Sequence, residues 1–254
     1  MDAGPERVVN AFGDAITYLN DPFNWTKPKG ILELAAQHLV ISGLAVGIAL
    51  LVALPLAVWL GHTGHGGAFT VGISNVSRAI PTLAILTIFA VTPLGFSIWA
   101  PVIALAVFAV PPVLANTYVG FREVDRDVVE AARGMGMSTG QLVRQVEFPL
   151  ALPLIMTGIR TAAVQVVATA TLAALLAGGT LGAIIRSGFG RQDYGVVVAG
   201  ALLVAGLALL TEAVLAGISW LVTPGRKRAA LPWSRRPAAE PAAASERVLV
   251  DTPL

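Results

Sequence analysis

Five continuous apolar runs, at 37–60, 68–91, 97–119, 150–177 and 194–222, constrain this 254-residue chain more than any other feature. Each is long enough to cross a bilayer core of about 30 Å as a helix, which takes roughly 20 residues. None alternates polar with apolar residues, so the strands of a membrane barrel are excluded. Charge is correspondingly scarce: 13% of residues are charged, against about 25% in a soluble domain, and mean hydropathy is +0.76. The chain therefore reads as an all-α integral membrane protein with about five transmembrane helices. Pro55, Pro81, Pro111, Pro112 and Pro153 fall inside the runs. They would break soluble helices, but neighbouring helices in a bundle re-satisfy the freed backbone groups. Gly43 and Gly47 have the four-residue spacing of close helix contacts and read as packing residues.

The flanking charges set a topology. In a five-span chain Arg122, Arg126, Arg133 and Arg144 share a side with Arg226, Lys227, Arg228, Arg235, Arg236 and Arg247; Arg7, Lys27, Lys29, Arg186 and Arg191 share the other. Ten against five places the 120–149 loop and the C-terminus in the cytoplasm and the N-terminus outside. Trp25 and Trp99 then fall near the outer interface, Trp59 and Trp220 near the inner one, where amphipathic rings settle. Residues 1–36 form an extracytoplasmic segment with an amphipathic helix at 6–19, which Asn20-Asp21-Pro22 stops. Val8, Val9, Phe12, Ile16 and Leu19 lie on one side of it. That helix either rests on the membrane surface or packs against the bundle. Residues 37–222 form the transmembrane domain, and residues 223–254 read as a disordered tail whose basic residues are drawn to anionic lipid. The first apolar run starts too late for a secretory signal and is expected to stay as an anchor. With no cysteine, disulfides, thiolate metal sites and cysteine nucleophiles are excluded.

Residues 120–149, GFREVDRDVVEAARGMGMSTGQLVRQVEFP, are the only long charged segment between apolar runs. Such a segment is either a handle for a soluble partner or a solvated loop with ordinary turn chemistry. Asp127-Val-Val-Glu130 and Ser138-Thr-Gly-Gln141 both have capping-box spacing. Gly134-Met-Gly136 lies between them, where backbone freedom turns the chain. The spacing predicts two short helices meeting at a glycine corner, the second running to Pro149. Ala131, Ala132, Gly134 and Gly136 leave a slim surface suited to a partner's groove, with Met135 and Met137 as adaptable apolar contacts.

Glu130-Ala131-Ala132, then Gly136, then Val146-Glu147-Phe148-Pro149 resembles the EAA loop of binding-protein-dependent ABC importer permeases. That pattern ends in I-x-L-P, with Val and Phe at the two apolar positions here. The resemblance implies a MetI-like ABC permease bundle in which the loop is a cytoplasmic coupling helix. Glu130, Ala131, Ala132, Gly134, Gly136 and Pro149 would then dock a cytoplasmic ABC ATPase dimer. Asp21-Pro22-Phe23-Asn24-Trp25, Gly61-His62-Thr63-Gly64, Arg78-Ala-Ile-Pro81-Thr82-Leu83 and Gln165-Val-Val-Ala-Thr-Ala-Thr171 are similar to permeases of osmoprotectant importers. That subfamily takes up glycine betaine, choline, carnitine, proline betaine or proline. The similarity runs from about residue 20 to 222 and implies a transport subunit in the bacterial cytoplasmic membrane. It also implies an extracytoplasmic substrate-binding protein and a second permease, either this chain or a relative. ATP and Mg would serve the partner ATPase; no cofactor on this chain and no nucleic-acid partner are expected.

Arg78, Arg160 and Glu212 sit within apolar runs, where each charge costs about 2.5–3.5 kcal/mol on insertion scales. They read either as lining a translocation pathway, with Glu212 paired to an arginine, or as an ion pair that fixes helix packing. Pro81 would break the second helix and turn carbonyls toward a cavity, and Thr82 beside it and Gln165 join the candidate pathway. Gln165, Thr169 and Thr171 give the fourth run a polar stripe, for the pathway or for interhelical hydrogen bonds. His62 and His65 lack a third ligand, so no metal site is expected. Aromatics are few and mostly interfacial, which leaves primary recognition of a quaternary ammonium ligand to the binding protein. The sequence contains no GxxxxGK[ST] or HExxH, so the chain reads as a transport subunit and not an enzyme. Two alternatives remain open: an importer permease for another small polar solute such as an amino acid, or a self-contained secondary transporter. The second would carry an internal repeat and broken ion-binding helices, and the five runs show no convincing repeat.

Overall fold

The helices of the first and third apolar runs continue past those runs to Thr63 and Arg122, whereas the helix of the fourth stops at Thr169, inside its run. The computed structural model describes residues 5–68, 70, 72, 81–95, 97–175 and 179–223, with side chains from residue 10. Arg78, much of the expected second span and the expected tail from residue 224 lie outside the described residues. In chain order the helices are α1 (Pro5–Asn20), α2 (Pro22–Thr26), α3 (Ile31–Thr63), α4 (Thr82–Ala90), α5 (Trp99–Arg122), α6 (Arg126–Gly134), α7 (Thr139–Leu142), α8 (Phe148–Thr169), α9 (Gly182–Arg191) and α10 (Tyr194–Val222). A π-turn, Val143–Glu147, joins α7 to α8, and a 3₁₀ turn, Ala170–Leu175, follows α8. Among the described residues, four helical stretches are long and apolar enough to span: Pro22–Thr63, Trp99–Arg122, Thr139–Leu175 and Tyr194–Val222. Of the expected second span, α4 is the main described part, and Pro81 stands at its N-cap with Thr82 as its first residue.

The core lies where α3, α5 and α8 meet. Ala45, Ala49, Ala53 and Ala57 recur every four residues and form a buried methyl stripe on α3. It packs against Val102, Leu105, Ala109 and Val113 of α5 and Ala162 and Val166 of α8. Small side chains let backbones approach, and in lipid that van der Waals contact is what holds helices together. The expectation that Gly43 and Gly47 make this contact is not met. They stand two residues from Ala45 and Ala49, roughly half a turn around the helix, and a Cβ at either would meet nothing within 4 Å.

At one end of the bundle α1 packs on the start of α10. Ala11 and Ala15 are buried there, while Phe12 and Ile16 point outward. The amphipathic helix thus packs against the bundle through its alanines and leaves its bulky apolar residues exposed. It stops at Asn20 as the sequence expects. Asp21 caps α2 by accepting from Phe23 N, and Trp25 Nε1 donates to Leu19 O at 2.7 Å, tying α2 back onto α1. The polar hairpin of α6 and α7 lies between α5 and α8.

Candidate functional site: the hairpin and the polar recess

Within the hairpin, Val124, Val129, Ala132 and Leu142 form a small core, with Met137 and Val146 against it. Asp125 caps α6 by accepting from Asp127 N at 2.9 Å. The box expected at Asp127 and Glu130 therefore does not form: two aspartates lie two residues apart, and the chain uses the earlier one. The Ser138–Gln141 box does form, with Ser138 N donating to Gln141 Oε1 at 2.9 Å and Gln141 N to Ser138 Oγ at 3.4 Å. Gly136 turns the corner at φ +81°, in the left-handed region that glycine enters without a Cβ penalty. Glu130, Ala131, Gly134, Met135 and Gly136 are exposed at the tip. Ala132 is only 3% exposed and belongs to the hairpin's own core, so it is no part of a slim outer surface. Met137 likewise turns inward, leaving Met135 as the exposed thioether.

The second hairpin helix does not end at Pro149. It widens into the π-turn, where Phe148 N bonds to Val143 O, and continues as α8. A proline lacks an N–H and crowds the carbonyl four residues back; a π-turn just before it shifts that register. The same junction is clamped from α3. His62 Nδ1 lies 2.6 Å from Glu147 Oε2, and both side chains are largely buried. Phe121 at the end of α5 meets Phe148 edge-on, with ring centroids 6.5 Å apart. Three long helices thus grip the hairpin at its base. His62→Phe is expected to leave the buried Glu147 carboxylate without its donor and to cost about 1–3 kcal/mol. The check is a lower thermal midpoint of purified protein that Glu147→Leu in the same chain restores.

A second polar cluster opens between α8 and α10. Arg160 Nη2 donates to Glu212 Oε1, and the pair sits in a recess of about 430 Å³ lined also by Thr157, Thr161, Val164, Gln165 and Ala168. The two charged side chains stay 29% and 38% exposed. Arg160 Nε is buried and has no hydrogen-bond partner among the described residues. Thr157 and Thr161 donate to carbonyls of their own helix, Pro153 O and Thr157 O, which leaves hydroxyl lone pairs toward the recess. The structure thus unites Arg160, Gln165 and Glu212; Pro81 and Thr82 do not line this recess. Thr169 and Thr171 donate within their own segment, to Gln165 O and Ala168 O. Among the described residues, no cluster of three metal-ligating side chains occurs.

Two adjoining recesses mark the α1 end, and neither was apparent from sequence. One, of about 800 Å³, holds Asp14, Asp21 and Asp193; its neighbour, of about 450 Å³, holds Lys27, Lys29 and Arg186. Tyr18 and Arg191 belong to both. Burial pushes the Tyr18 phenol above its ordinary range, and nearby Arg191 opposes the rise.

A helical bundle with a charged recess between two of its long apolar helices and a braced polar handle is built as a membrane transport component. Residues 32–219 match the model of the binding-protein-dependent transport system inner membrane component, and the chain belongs to that family. It is a multi-pass protein of the inner membrane. The chain is 37% identical over 202 residues to the glycine betaine/carnitine/choline transport system permease protein OpuCB of Bacillus subtilis, covering 80% of this chain and 93% of that one. The choline transport system permease protein OpuBB of the same organism is 39% identical over the same shares. Among solved structures, the inward-facing methionine ABC transporter MetNI has a TM-score of 0.66 at 24% identity, covering 80% of this chain and 99% of that one. That likeness establishes the shared permease fold.

Proposed function

We propose that this chain is the permease subunit of an ATP-driven importer for osmoprotectants of the quaternary ammonium class, such as glycine betaine, carnitine or choline. The observation that carries the reading is 37–39% identity over 80% of the chain to permeases named for those solutes. The braced hairpin supplies the mechanical part: a rigid handle can pass a partner's movement into α3, α5 and α8 through His62–Glu147 and Phe121–Phe148. On this reading the hairpin faces the cytoplasm and docks a separate ATPase dimer through Glu130, Ala131, Gly134, Met135 and Gly136. ATP and Mg are used there, and α1 faces a substrate-binding protein outside. Arg160, Gln165 and Glu212 line the pathway, because polar groups half-exposed at membrane depth belong against water or protein and not lipid. A second permease completes the pathway on that open face. The test is uptake of labelled glycine betaine into vesicles holding the permease, its ATPase and its binding protein. ATP-dependent uptake is expected; uptake by the permease alone overturns the reading.

A further inference from the structure

We infer that Arg160 and Glu212 form an exchangeable clasp that selects zwitterions over simple cations. The inference rests on the importer reading above and adds which solutes within that class the permease itself favours. The pair is the only salt bridge among the described residues within the recess, and it stands on the open side of α8 and α10. Within membrane-spanning helices neither charge is left alone cheaply, because a single charge there is costly and is held against a partner or a polar cavity. A solute therefore opens the pair only if it replaces both partners. A quaternary ammonium cation such as choline offers a charge to Glu212 and leaves Arg160 unpaired. A betaine offers its carboxylate to Arg160 and its ammonium to Glu212 in one step.

Donor chemistry agrees with that division. The guanidinium is a planar fork suited to bidentate carboxylate binding, and its Nε is a buried donor with no partner among the described residues. A quaternary ammonium has no N–H to donate, so it needs only the carboxylate's charge and the oxygen lone pairs of Thr157 and Thr161 nearby. The recess volume of about 430 Å³ falls within the roughly 300–1,000 Å³ of small-molecule sites.

The experiment is equilibrium binding of radiolabelled glycine betaine and choline to the detergent-purified permease–ATPase complex, with no binding protein present. The unmodified complex is expected to hold glycine betaine at least about ten-fold more tightly than choline, a difference of about 1.4 kcal/mol. Arg160→Gln combined with Glu212→Gln leaves no charge unpaired and is expected to bring the two affinities within about two-fold of each other. Equal binding of both probes to the unmodified complex, or binding of neither, overturns the clasp. An assembled double variant that keeps the ten-fold preference also overturns it and makes the pair a packing bridge. If the double variant does not assemble, Arg160→Lys keeps the charge and loses the fork. It is expected to weaken glycine betaine about ten-fold with choline unchanged, and an unchanged betaine affinity overturns the proposal. Loss of ATP-dependent uptake would sink the importer reading itself, whereas ATP-dependent uptake alongside equal binding of the two probes sinks the clasp alone.

Discussion

Gly158→Val is expected to remove nearly all correctly folded protein from the membrane fraction. At Gly158 the backbones of α8 and α5 touch: a Cβ there would stand 2.8 Å from Asn116 Cβ, 2.9 Å from Pro112 O and 3.4 Å from Val113 Cα. None of these is the end of a flexible side chain. Asn116 is further held because its Nδ2 donates to Pro112 O at 2.8 Å. Relief therefore requires α5 and α8 to separate, and that loosens the alanine stripe of α3 packed across both. Overpacking where side chains can yield costs about 1–3 kcal/mol. With backbone as the obstacle the cost is expected at or above the top of that range, a large share of the roughly 5–15 kcal/mol that holds a domain together. The control is Gly43→Val, whose Cβ meets nothing within 4 Å and which is expected to cost less than about 0.5 kcal/mol. Size-exclusion profiles of the two variants, solubilised in parallel, give the comparison. Equal recovery would mean that α5 and α8 do not approach as described.

The difference between those two glycines also marks how far the sequence can be read. Gly43 and Gly47 carry the familiar four-residue spacing, yet spacing says only that two residues share a face, and not which face meets a neighbour. The stripe that does the packing is alanine, and alanine is so common in this chain that its periodicity does not stand out. The long helices were legible because about 20 apolar residues leave the backbone one way to satisfy itself in lipid. Hairpin chemistry was half legible. Ser138 and Gln141 had no competitor, whereas Asp125 and Asp127 offered the same cap and only the packing of Val129 and Ala132 decides between them. Pro149 signalled a stop, but local sequence does not reveal that a π-turn can absorb a proline. His62 and Glu147 are 85 residues apart, and no local pattern joins them. Glu212 invited an arginine partner; that Arg160, 52 residues away, fills the role follows from the packing of α8 on α10.

Gly136→Asp is expected to release the ATPase while leaving the permease inserted and folded. No atom lies within 4 Å of the position a Cβ would take, so the substitution creates no clash. Its cost is conformational: at φ +81° an L-residue pays about 1–2 kcal/mol, which the corner can recover only by changing how α6 and α7 meet. Met135 and Gly134 then leave their places at the tip. A hot-spot residue near the centre of an interface is worth about 2 kcal/mol or more, so with the tip in that role co-purification of the ATPase is expected to fall roughly thirty-fold. Met135→Asp, at a side chain 73% exposed, separates the surface from the corner. It alters the tip without touching the hairpin core and is expected to weaken association by a similar factor at unchanged thermal midpoint. Ala132→Leu should differ from both. Because Ala132 is buried against Val129 and Leu142, the larger side chain is expected to unseat the hairpin itself, lowering the thermal midpoint along with association. If Met135→Asp and Gly136→Asp both retained the ATPase at unmodified levels, the hairpin tip would not be the docking surface, and the clamp at His62 and Glu147 would brace a loop with no load to carry.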